Sequence, residues 1–173
     1  MSKIVLRPKR RMFMGVKAES SDAVTYTRLK GFTTLTENKN PTEYTRKYVD
    51  EYFEETDVTG ISVSFDFTFD MLDGDAVNTD IAGIIDGEKL GEDAVRSFVS
   101  VDFNKPVTSG GFEAVERKMS IVGSTIGDGT DALTYSGTLR VKTEKVIGVA
   151  VIATPDGGND ETVKTITFTP SQD

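Results

Sequence analysis

The chain has 173 residues, 37% hydrophobic and 28% charged, enough for one domain with a core of its own. It contains neither cysteine nor histidine, which excludes disulfides, thiol nucleophiles, zinc centres built on those residues and every histidine-based triad. The net charge of −8 is unevenly placed: Lys3, Arg7, Lys9, Arg10 and Arg11 put +5 on residues 1–11 and leave −13 on the remainder, a body that repels nucleic acid rather than binding it.

The basic arm, residues 1–11, opens the chain. Three readings are open for it: docking on an acidic surface such as a neighbouring copy, contact with nucleic acid, or a frayed solvated terminus. No apolar run approaches the roughly 18 residues of a membrane span, and none near the N-terminus suits a signal peptide. A cytoplasmic origin without a membrane partner is expected.

Beyond the arm, alternation dominates the chain. MFMGVKA, 12–18, reads as a strand, and a polar turn at Ser20, Ser21 and Asp22 separates it from a strand pattern over TYTRLKGFTTL, 25–35. Residues 37–59 mix charges of both signs with Tyr44, Tyr48, Tyr52 and Phe53. The tyrosine spacing permits a helix, whereas the Tyr, Thr and Val content favours extended chain. The segment is too polar for a core and too aromatic for an idle linker, which suits a partner surface. An ordinary exposed hairpin is the plainer alternative.

GISVSFDFTFD, 60–70, alternates most clearly. Ile61, Val63, Phe65, Phe67 and Phe69 share one face; Ser62, Ser64, Asp66, Thr68 and Asp70 share the other. This period predicts a long half-buried strand. Next, Val77, Ile81, Ile84 and Ile85 form one stripe of a helix over 75–91. Asp73 or Asp75 is placed to cap its start, and Gly91 follows its end. Gly83 and Gly87 each weaken that helix by about 1 kcal/mol relative to Ala.

Further strands are predicted at RSFVSVDF (96–103), EAVERKMSIVG (113–123), LTYSGTLRVK (133–142), VIGVAVIA (146–153) and TVKTITFT (162–169). Arg117 interrupts the apolar face of the second, and small Gly137 sits within that of the third. The fourth is apolar on both faces, as in a central buried strand. Turns fall at Ser109-Gly110-Gly111, Gly127-Asp128-Gly129 and Asp156-Gly157-Gly158. The expected fold class is mainly β: one sandwich or barrel domain, 1–173, with one flanking helix.

Nothing nominates a chemical centre. No phosphate-binding loop is present. Asp70, Asp73, Asp75, Asn78 and Asp80 cluster at the helix start, but their spacing is not that of an EF-hand, and helix capping accounts for them without calcium. No pair of carboxylates is singled out for glycoside hydrolysis, and there is no tryptophan for a sugar platform. The expectation is a non-enzymatic protein without cofactor or metal.

Residues 48–104 carry a resemblance. An acidic and aromatic stretch precedes Asp57-Val58-Thr59-Gly60 and an alternating strand. A short helix with Ile81-Ala82-Gly83-Ile84 and a turn at Gly91-Glu92-Asp93-Ala94-Val95 come next; later stands ALTYSGTL, Ala132 to Leu139. This order resembles the major tail, or tail tube, proteins of siphophages and related prophages of Gram-positive bacteria. The resemblance implies a tail tube fold: sandwich or barrel-like, with one flanking helix. It further implies rings, usually hexamers, whose inner sheets join into a continuous barrel, and stacking of rings into a virion tube that conducts the genome. Long loops and terminal arms would make ring-to-ring contacts.

Residue by residue, the polar face Ser62, Ser64, Asp66, Thr68 and Asp70 is then expected to line the channel, where DNA passes without specific binding. Tyr44, Arg46, Lys47, Tyr48, Asp50, Glu51, Tyr52 and Phe53 are expected at the adjacent ring. Lys3, Arg7, Lys9, Arg10 and Arg11 are expected in arm contacts. Partners would be further copies and other tail proteins. Competing readings are another tail component, such as a terminator or a tube-like secretion subunit, and a β-sandwich binding or adhesion module.

Overall fold

The computed structural model describes residues 3–17, 23–127, 130–153 and 164–171. The expected turns at 20–22 and 156–158, the Asp128-Gly129 pair and the start of the 162–169 strand lie outside those residues. Strands run as β1 (Arg10–Lys17), β2 (Val24–Arg28), β3 (Phe32–Asn38), β4 (Pro41–Arg46), β5 (Glu55–Ile61) and β6 (Ser64–Asp70). Helix α1 (Ala76–Asp86) follows, then β7 (Val95–Pro106), β8 (Phe112–Ile126), β9 (Thr134–Val141), β10 (Val146–Ile152) and β11 (Thr165–Pro170).

Six strands close on themselves in the order β8-β10-β11-β2-β1-β7, with β7 returning to β8. All pairings are antiparallel, which buries the backbone polar groups in ladder bonds. Strand β8 is the hinge of the topology. Its first part, Phe112–Glu116, pairs with β10; its second, Met119–Ile126, pairs with β9. On its other edge it pairs with β7 as far as Ser120. The order β8-β9-β6-β3 therefore extends the barrel wall into an open sheet.

Two apolar clusters result. Phe13, Val99, Val101, Phe103, Ala114, Ala150 and Ile166 fill the barrel. Phe65, Phe67 and Phe69 of β6 meet Met12, Met14, Phe98, Met119, Ile121 and the stripe of α1 in the other. Strand β1 lies between them, so Met12 and Met14 enter one cluster and Phe13 the other. That is why β1 lacks the alternation of β6. Helix α1 starts where Asp75 accepts the backbone N–H groups of Val77 and Asn78, and Val77, Ile81 and Ile84 are fully buried. Arg96 of β7 clamps it with a fork onto Asp80 at 2.7 and 2.9 Å. At its far end the Tyr135 hydroxyl donates to Asp86 at 3.0 Å; burial, then this bond, raises its pKa.

Glycines set the approach of these layers. Gly123 and Gly137 stand directly opposite one another on β8 and β9. A Cβ on Gly123 would lie 2.7 Å from the Ile85 side chain, and one on Gly137 would lie 2.8 Å from the Phe67 ring. The pair forms a notch that admits both side chains.

Several expectations are corrected. The 25–35 run is two strands with different partners, β2 in the barrel and β3 at the sheet edge, broken at Gly31 with φ +75. The 60–70 run also divides, at Ser62 and Val63, because β5 belongs to a hairpin and β6 to the main sheet. The helix stops at Asp86 rather than Gly91; Gly87 caps it and Glu88 turns the chain with φ +47. Strand β10 is central but not covered on both faces: Ile147 is 57% and Val151 45% exposed.

Candidate assembly surfaces

Of the five polar residues expected on one strand face, four lie on β6. Asp66 is exposed and Thr68 and Asp70 are half-buried, but Ser64 is buried and accepts from the Asn40 side chain at 3.2 Å. Ser62 is exposed in the link between β5 and β6. The face is wider than one strand. Asn38 of β3 and Thr138 of β9 donate to the two carboxylate oxygens of Asp66 at 2.8 and 3.1 Å. Thr68 bonds Ser136 at 3.1 Å. Arg140 stands opposite Ser64, a cation that reading 60–70 alone missed. The alternation Thr134, Ser136, Thr138, Arg140 in the β9 sequence carried that signal.

This open sheet has unpaired edges on both sides. Among the described residues, β3 has no second partner, and β8 beyond Ser120 has none on its β7 side. An unpaired edge exposes a row of backbone donors and acceptors that another strand can satisfy.

Residues 37–59 contain no helix. Glu37 and Asn38 end β3, and β4 and β5 form a separate two-stranded sheet. Arg46 braces this hairpin from within. It donates to Asp57 at 2.6 Å, Tyr48 at 2.7 Å and Glu55 at 3.3 Å, and its guanidinium lies 5.7 and 5.5 Å from the Tyr44 and Tyr48 ring centres. These partners raise the Arg46 pKa further, led by the Asp57 and Tyr48 hydrogen bonds. Arg46, Tyr44 and Tyr48 thus stiffen the stalk. The tip carries Lys47, Asp50 and Glu51 in the open, with Tyr52 91% and Phe53 84% exposed.

The N-terminal cations divide. Arg10 and Arg11 lie in β1 rather than in an arm. Arg10 pairs with Asp102 at 3.2 Å, and the Arg11 guanidinium sits 5.3 Å from the Phe103 ring centre. Burial opposes the charge on Asp102, but the Asn104 backbone N–H and Arg10 outweigh it and hold the carboxyl below its usual range. Arg7 donates to the Leu35 carbonyl at 3.2 Å, tying a short 3-10 turn, Arg7–Lys9, to β3. Lys3 is exposed ahead of it. The outward feature of the arm is apolar: Ile4, Val5 and Leu6 are all exposed. Their adjacency in the sequence was the available signal.

No group of three or more acidic residues is placed to hold a metal ion among the described residues. No protein-family model and no curated protein matches the chain. The solved structures do. The tail tube of SPP1, a siphophage of Bacillus, matches with a TM-score of 0.57 at 16% identity, over 90% of each chain. The chain has the tail tube fold. The anti-feeding prophage baseplate also contains a similar chain, at 8% identity and a TM-score of 0.48, over 85% of this chain and 97% of that one. The open sheet, the braced hairpin and the N-terminal segment are thus surfaces of a tail tube fold.

Proposed function

We propose that the chain is a structural subunit of a phage tail tube, located in the virion tail. It assembles with copies of itself into rings that stack around a channel for genome ejection. One observation carries the reading: a tail tube fold whose open sheet β8-β9-β6-β3 has an unpaired edge on each side. Edges at opposite ends of one sheet are a heterologous pair, and heterologous contacts that close make rings. Six copies per ring is the expectation carried by the family resemblance.

Within such a ring the polar face bearing Asp66, Thr68 and Asp70 lines the channel. The Asp66 and Asp70 carboxylates there repel the DNA phosphates, and Arg140 reduces the negative field without reversing it. The β4–β5 hairpin reaches the adjacent ring, and the segment from Lys3 to Leu6 contacts a neighbour. Other tail proteins are further partners.

Negative-stain microscopy of the purified protein across a concentration series tests this. Rings or tubes that grow with concentration are expected. A monomer of constant mass at every concentration would refute self-assembly and favour an adhesion module.

A further inference from the structure

A cleft of about 590 Å³ opens on the outer wall of the barrel, between the ends of β3 and β10. Phe98, Val115, Met119, Ile147 and Val149 give it an apolar lining. Five cations border it: Arg10, Lys39, Lys105, Arg117 and Lys145. Three acids are present, and each is already paired: Glu37 with Lys39, Asp102 with Arg10, Glu113 with Lys105. The lining therefore sums to +2 on a chain of −8. Arg117 and Lys145 make no ion pair among the described residues. They also border a second, adjoining cleft with Lys39, Ile61 and Ser62.

An apolar lining with two unpaired cations suits an acidic, aromatic occupant. The hairpin tip has that composition. Residues 47–54 read KYVDEYFE, with Asp50, Glu51 and Glu54 against Lys47, a sum of −2. Tyr52 and Phe53 stand exposed between the acids. Aromatic side chains entering a pocket inside a ring of charge pairs are the usual centre of a protein interface.

The tip cannot serve its own cleft. Ile61, at the hairpin base, borders the adjoining cleft. Six paired residues on β4 at about 3.3 Å each then put the tip roughly 20 Å away. Folding back would break that sheet and the Arg46 brace.

We propose that this cleft receives the β4–β5 tip of a second copy. Tyr52 and Phe53 enter the apolar lining, and Asp50, Glu51 and Glu54 face Arg117 and Lys145. The proposal rests on the self-assembly reading and names its stacking contact. Donor and acceptor surfaces differ, so each copy can use both at once. Such a contact repeats along an axis instead of stopping at a dimer.

The absence of native cysteine allows a direct test in the full chain. Phe53→Cys and Ile147→Cys, both at exposed positions, are combined and treated with a short bis-maleimide. A ladder of covalent multimers is expected from the pair and from neither single variant. Arg117→Glu with Lys145→Glu should raise the concentration needed for stacking by about tenfold or more. Adding Glu51→Lys and Glu54→Lys to that chain should restore it.

Rings that stack normally with no ladder, and normal stacking of the reversed cleft, would overturn the docking while leaving the tube subunit intact. Crosslinking of Ile147→Cys alone would put a second cleft, not a hairpin, against this surface and would also overturn it. A wild-type chain that stays monomeric at every concentration removes both readings.

Discussion

Gly137→Ala and Gly83→Ala should shift stability in opposite directions. A Cβ on Gly137 would sit 2.2 Å from the Val122 carbonyl oxygen, 2.8 Å from the Phe67 ring and 3.1 Å from the Gly123 Cα. Two of those neighbours are backbone of β8, and Phe67 is fully buried, so none can swing aside. Overpacking of this kind costs roughly 1–3 kcal/mol. Losing glycine's freedom in the unfolded chain returns about 0.5–1 kcal/mol. The 2.2 Å approach to backbone puts the overpacking cost in the upper part of its range, about 2–3 kcal/mol, so the net is a destabilisation of about 1–2.5 kcal/mol, or a fall in Tm of about 2–10 °C for a chain of this size.

Gly83 is on the exposed face of α1, and a Cβ there meets nothing within 4 Å. Alanine should add about 1 kcal/mol of helix propensity and raise Tm by about 2–4 °C. Gly87→Ala is the internal control. Gly87 lies one residue past the helix, as its cap, and its Cβ would lie 2.8 Å from the Gly83 carbonyl oxygen, so it should bring no such gain. Thermal unfolding by circular dichroism at a concentration where the protein is monomeric reads all three, since assembly would itself raise Tm. Urea midpoints at unchanged m-value provide the second readout. A Gly137→Ala variant as stable as wild type, or a reversed order, would refute the reasoning from the notch.

Two further outcomes are expected. Burial, and then the hydrogen bond to Glu116, push the Tyr26 hydroxyl well above its ordinary 10.0. A raised folded-state pKa gives stability that is fully present below pH 10.0 and lost as pH climbs towards the folded value. Tyr26→Phe should therefore flatten the fall in stability above about pH 10; an unchanged slope there would exclude the pair as its source. Asp66→Cys should react with a bulky polyethylene-glycol maleimide in the monomer and be shielded in tubes. Equal labelling of both would place Asp66 outside the channel.

Where one face of a strand is buried and the other wet, the sequence was readable. The β6 phenylalanines and the α1 stripe were found because each element packs against a single cluster. Where a strand has apolar material on both sides, as at Met12, Phe13 and Met14, periodicity shows a strand but not its place in the sheet. Alternation continues across the break within 60–70, and strand-forming Thr, Tyr, Phe and Leu flank the break at Gly31 within 25–35, so neither run shows its division. Only the change of partner, from barrel to edge or from hairpin to sheet, marks the boundary. The N-terminal cations divide for the same kind of reason. Arg10 and Arg11 share the charge of the first residues, yet contacts with Asp102 and Phe103 hold them in β1, and apolar Ile4, Val5 and Leu6 stand exposed beside Lys3 and Arg7. The basic cleft was illegible for a similar reason. Lys39, Arg117 and Lys145 are far apart in sequence and flanked locally by acids.

The shared strand β8 has a mechanical meaning. One uninterrupted backbone of 15 residues is hydrogen-bonded to β7, β9 and β10. A pull on the open sheet along that strand would load its ladder bonds in shear, many at once, rather than peeling them singly, because antiparallel bonds run perpendicular to the strand. Tension between neighbouring copies would thus pass into the closed barrel through covalent chain. The slowest-exchanging backbone amides of the molecule should lie along its central stretch, Ala114 to Ile121.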